Sequence, residues 1–183
     1  MDVYLGKALS LVTLDAVIVW MIPALICFSI SYLRFRKGKM RLRSCLALSI
    51  LVFYLGFVAS LTLISRTASP NAMMELELFW SYRLIHSGNR NMFFEVFWNV
   101  VLFVPYGFLA SIISKSKTKW TVLMSGALLT VAIELTQLFT HRGLFEYDDI
   151  IHNTLGTVVG IALCLIASKI IIRLERKYNI QLT

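Results

Sequence analysis

The sequence predicts an all-α, polytopic membrane helical bundle. Five transmembrane helices and one interfacial or re-entrant helix form a single domain over 1–183. Three observations carry this. Hydrophobic residues make up 58% of the 183, and mean hydropathy is +0.75, a balance that soluble domains do not show. Five apolar stretches are long enough to cross a bilayer, which takes roughly 20 helical residues. The stretches are continuously apolar rather than alternating, which argues for helices and against a barrel.

The first span is placed near Leu9–Leu33. Its apolar run is too long for a signal-peptide core, and only Lys7 precedes it, so it is read as retained. Asp15 inside it is a structural partner or a proton site. The second span covers Leu42–Ser65 and ends at Arg66. In the following link Met73, Leu76, Phe79, Trp80, Arg83 and Leu84 recur at helical spacing. Trp80 and Tyr82 suit the head-group layer. This predicts the interfacial or re-entrant helix near Met74–His86, roofing the polar residues, with a turn at Gly88-Asn89.

The third span covers Phe94–Ser114, with Glu95, Asn99 and Phe103 on one face. Pro105-Tyr106-Gly107 is expected to interrupt and kink it. The fourth covers Trp120–Thr140. Glu134 and Gln137 are i, i+3 there, and His141 follows at i+7 on the same face. The fifth covers Ile150–Ile172. Asp149, Asn153, Gly156 and Gly160 share a face, and the two glycines permit close helix approach. Asp148 suits the N-terminus of that helix as a cap.

Charge gives the topology. Arg34, Arg36, Lys37, Lys39, Arg41 and Arg43 crowd the first link, Lys115, Lys117 and Lys119 fill the third, and Lys169, Arg173, Arg176 and Lys177 end the chain. By the positive-inside rule these regions are cytoplasmic, with the N-terminus outside and the C-terminus inside. Of the acids, only Glu175 falls on that side; Asp2, Asp15, Glu75 and Glu77 join the rest toward the outside. The net charge of +8 is then a topology signal with attraction to anionic lipid, and calls for no nucleic acid. Cys27, Cys45 and Cys164 have no metal spacing and read as packed thiols.

Polar side chains at membrane depth are costly and usually line a site. Arg66, Asn99, Glu134, Gln137, Arg142, Asp148, Asp149 and Asn153 are therefore expected to line an outward-facing pocket. Arg66 and Arg142 would hold phosphate. Glu134 or Asp149 would act as general base, with His141 able to shuttle protons. Asn99, Gln137 and Asn153 would orient a substrate. The plainer readings are an ion pair of Glu134 with Arg66 or Arg142, capping by Asp148, and Arg66 snorkelling to lipid. Arg142 is expected to contact Asp148 or Asp149 when the pocket is empty. No serine-nucleophile, HExxH, Walker or dinucleotide motif appears, and no cofactor is indicated. Glu134, His141, Asp148 and Asp149 are hard ligands whose spacing specifies no metal.

These residues resemble the VanZ-like family over a core of 94–160. The matching stretches are Asn99–Gly107 (NVVLFVPYG), Ile133–Gln137 (IELTQ), Arg142 and Asp148–Gly156 (DDIIHNTLG). Glu146 stands where that family commonly has Asp, and His152 where an apolar residue is common. The resemblance implies a multi-pass protein of the bacterial cytoplasmic membrane, in a family named for low-level teicoplanin resistance. It also implies remote kinship with membrane enzymes acting on lipid head groups. The leading expectation is a protein that handles a lipid or lipid-linked cell-wall precursor, with phosphoester or head-group chemistry. The alternative is a non-catalytic binder of a lipid head group, the acyl tail of a lipoglycopeptide antibiotic, or a partner protein. A transporter fits less well, because paired broken helices are not evident.

Overall fold

The computed structural model describes residues 14–64, 66–71, 73–114 and 119–178. Asp2, Lys7, the start of the expected first span, Lys115 and Lys117 lie outside the described residues, as does the side chain of Asp15.

In chain order the elements are α1 (Leu14–Arg36), α2 (Leu42–Ala59, continued by a π-helical turn over Ser60–Ile64), β1 (Met73–Glu75) and α3 (Trp80–His86). They are followed by α4 (Arg90–Ile113), α5 (Trp120–Thr140), β2 (Leu144–Glu146) and α6 (Tyr147–Tyr178). Among the described residues five helices are long and apolar enough to cross a membrane: α1, α2 with its π turn, α4, α5 and α6. No more than 33% of the apolar window of any of them is buried within the protein. Leu128 and Phe139, for instance, face outward. So large an exposed apolar surface is stable in hydrocarbon rather than in water.

Several expected boundaries move, each for a local reason. The helix over the third span starts at Arg90, because the Asn89 side chain accepts from the N–H groups of Asn91 (3.1 Å) and Met92 (3.2 Å), a capping interaction. It also runs unbroken through Pro105. The expected interruption does not occur; the Tyr54 hydroxyl braces the turn before the proline by donating to the Leu102 carbonyl (2.5 Å). The last helix starts at Tyr147 and reaches Tyr178, with Arg176 and Lys177 in its final turn, where cations favour the dipole.

The helix expected near Met74–His86 is only half present. Met73–Glu75 is a strand, paired in parallel with β2 in the register Met73↔Leu144, Met74↔Phe145 and Glu75↔Glu146. Phe79, at φ 63°, then turns the chain before α3 begins. A tertiary partner for the backbone outweighs local helical spacing here. The bundle therefore carries a small two-stranded sheet at one end.

The core is Leu51, Val58, Phe103, Tyr106 and Ile133. Beside it α4 and α6 pack with their backbones almost touching. A Cβ on Gly156 would lie 2.1 Å from the Val100 carbonyl oxygen, one on Gly160 2.2 Å from that of Val104, and one on Gly107 2.2 Å from that of Thr157. Contacts advancing together along both helices mean that they run parallel, so both start at the same end. Gly126 of α5 rests on the Thr157 side chain in the same way. Trp20 covers Gly56 and donates to Ser60 Oγ (2.9 Å), fastening α1 to α2. Cys27, Cys45 and Cys164 are free thiols, the latter two buried.

Candidate functional site at the polar end of the bundle

The glycine seam brings the third turn of α4 against the start of α6. Across it Asn99 Nδ2 donates to Asp149 Oδ1 at 2.5 Å. α5 delivers Glu134 and Gln137 from the other side, 1% and 2% exposed. Glu134 Oε2 accepts from the backbone N–H of Glu146 (3.1 Å), which ties it to β2. Gln137 Nε2 donates to the Thr62 carbonyl (3.0 Å), while its Oε1 is buried without a partner.

Arg66 closes the group. Its Nη1 lies 2.8 Å, and the Gln137 amide carbon 3.2 Å, from where a Cβ on Gly143 would stand. Only a residue without a side chain lets the guanidinium lie over that turn beside Gln137. Arg66 is exposed and acts electrostatically on Glu95, Glu134 and Asp149. Glu146 faces Asp149, Glu134 and Glu95. One cation thus acts on three carboxyl groups, and Glu146 is influenced by the same three acids. Glu146 lies outside the spanning helices. Burial first, then the charges of Asp149, Glu134 and Glu95, push its pKa up to about 8, against a smaller opposing effect of the Trp80 indole. Desolvation and like charge both disfavour the ionised form.

The other expected site residues are placed differently. Asn153 is a turn deeper than Asp149; its Nδ2 donates to Thr130 Oγ1 (2.8 Å) and its Oδ1 is buried without a partner. Asp148 turns away and holds α3. It accepts from the backbone N–H groups of Phe79 (2.6 Å) and Ser81 (3.0 Å) and from the Ser81 hydroxyl. It therefore caps α3, not the helix it belongs to. His152 assists from the next turn, with Nε2 3.0 Å from the Tyr82 hydroxyl.

Among the described residues Arg142 contacts no acidic side chain. Its Nη1 lies 3.4 Å from the carbonyls of both Leu63 and Ile64, since a helix end leaves such acceptors unpaired. Glu134 likewise makes no ion pair with either arginine; among the described residues the ion pair found is the exposed Arg83–Glu77. His141 ends α5 in the left-handed conformation (φ 56°), so the helical face that carries Glu134 stops before it. Its ring joins no hydrogen bond among the described residues; its carbonyl accepts from Ser69 N (2.7 Å).

Glu95 and Glu146 are the acids that sequence reasoning left out of the site. Glu95 had a signal, one turn before Asn99 on the same face. Glu146 had none, because β2 places it. The carboxyl groups do not converge: among the described residues no three His, Cys, Asp or Glu side chains are grouped to hold a metal ion. An open groove lies apart, lined by Ile85, Gly88, Asn89, Arg90, Phe93 and Phe94. None of the expected site residues lines it.

Fold and site together define a polytopic helical membrane protein whose polar side chains gather around one arginine at one end of the bundle. The chain belongs to the VanZ/LLP1 family, which matches residues 45–168. That range holds the whole cluster. No protein of curated function and no solved structure matches the chain.

Proposed function

We propose that the polar end binds the phosphate-bearing head group of a membrane lipid or lipid-linked cell-wall precursor. The observation that carries this is the placement of Arg66. It is an exposed guanidinium at the mouth of a buried polar cluster, and among the described residues it makes no ion pair at contact distance. Its planar fork matches phosphate oxygens. The basic links belong to the other end of the bundle, which by the positive-inside rule supports a site at the outer leaflet, in the bacterial cytoplasmic membrane that the family resemblance implies. Occupying a cell-wall precursor there would alter susceptibility to teicoplanin and related lipoglycopeptides.

One observation favours chemistry as a second reading. Glu134 is buried, with one carboxylate oxygen accepting from Glu146 N–H, the hydrogen bond it makes among the described residues. A carboxylate fixed in this way can serve as a general base. Asn99 holds Asp149, and the ring of His141 has no part in this reading.

The test is direct. Purified protein is titrated with a short-chain phospholipid and binding is followed by native mass spectrometry. Arg66→Lys keeps the charge and loses the fork, and is expected to weaken binding about tenfold, as the loss of one charge-assisted hydrogen bond does. Equal affinity would remove phosphate recognition from Arg66.

A further inference from the structure

We propose that the head group taken by this site is zwitterionic, a phosphate on Arg66 joined by a short linker to a primary ammonium that donates to Gln137, with Glu95, Glu134 and Glu146 as the surrounding negative field. This rests on the phosphate reading above and names its substrate class. The charge balance is the first ground. Arg66 is the cation that acts on Glu95, Glu134 and Asp149, and Glu146 is influenced by the same three acids. A purely anionic head group would bring further negative charge to a site in which like charge already helps to keep Glu146 protonated. A ligand carrying its own cation reverses that sign.

The second ground is independent of charge. Gln137 is 2% exposed, its Oε1 has no partner, and its amide sits beside Arg66. A buried acceptor left empty costs roughly 1–3 kcal/mol. A phosphodiester has no proton to give it, whereas an ammonium has three N–H donors. The groups around Arg66 are acceptors, which suits a primary ammonium. A quaternary ammonium would instead require aromatic faces.

The experiment is a competition among phosphatidylethanolamine, phosphatidylcholine, phosphatidylglycerol and phosphatidic acid with identical acyl chains. Each binds the full-length protein and is read by native mass spectrometry. Phosphatidylethanolamine is expected to win by about tenfold over each of the others. The preference should grow from pH 7 to pH 9 as Glu146 loses its proton. Glu95→Gln, an exposed position, should reduce the preference to about threefold or less. Water-soluble glycerophosphoethanolamine in excess should compete, which places recognition in the head group rather than the tails; no competition would overturn the proposal. If Arg66→Lys weakens all four lipids but phosphatidic acid or phosphatidylglycerol binds best, the zwitterionic proposal fails alone. If Arg66→Lys changes nothing and the four lipids bind equally, the phosphate reading fails and takes this one with it.

Discussion

Arg66 and Arg142 end up in the same region and meet different partners. Arg142 is engaged by the carbonyls of Leu63 and Ile64, while Arg66 lies over Gly143 among carboxylates. Nothing in their sequence context distinguishes them, since each follows the end of an apolar span. The difference comes from the π turn, whose carbonyls claim the nearer guanidinium. Glu146 shows the same dependence on tertiary placement, and it supports a pH prediction. Its folded-state pKa of about 8 lies above the ordinary carboxyl value, so the folded state holds a proton that the unfolded state has released. That contribution is complete below about pH 4.5 and is lost as pH rises toward 8. Glu146→Gln removes the titration. Relative to wild type, the variant should therefore gain thermal stability between pH 5 and pH 8.5. A pH-independent difference in Tm would contradict the burial of Glu146 among carboxylates.

At the scale of elements, the α4–α6 seam is the most constrained part of the molecule. Gly156 stands where any Cβ would enter the Val100 carbonyl, so neither helix can yield without backbone movement. Gly156→Ala should destabilise the protein by about 2 kcal/mol or more, measured by reversible unfolding in detergent; unchanged stability would mean that the helices do not touch there. The seam was legible, because Asp149, Asn153, Gly156 and Gly160 share a face by spacing alone. Among the described residues the span limits were legible to within a turn or two. Asn89 was read as part of a turn, although its side chain caps α4, a signal present in the sequence. The β1–β2 pair was not legible: three residues are too few for a period to show, and their partners are distant in sequence. Asp148 illustrates a third kind of miss. Its position at a helix start points to capping, but its carboxylate caps α3, nearly seventy residues earlier in the chain.

At the scale of the whole molecule, composition was enough for the architecture. Five apolar runs became five long helices, and the acids and amides gathered at the end opposite the basic links. Sidedness rests on charge. With the positive-inside rule, Lys39→Cys should react with a membrane-impermeant thiol reagent only from the cytoplasmic side, and His86→Cys only from outside. The reverse pattern would place the site at the inner leaflet. The central claim is that this polar cluster meets a phosphate through Arg66. The most direct measurement is an experimental structure of the protein in a lipid bilayer containing phosphatidylethanolamine. The account predicts a lipid phosphate hydrogen-bonded to the Arg66 guanidinium, with the head-group nitrogen directed at Glu95, Glu134 and Gln137. An Arg66 closed onto Glu134 or Asp149 as a contact ion pair, with lipid excluded from Gly143, would contradict it.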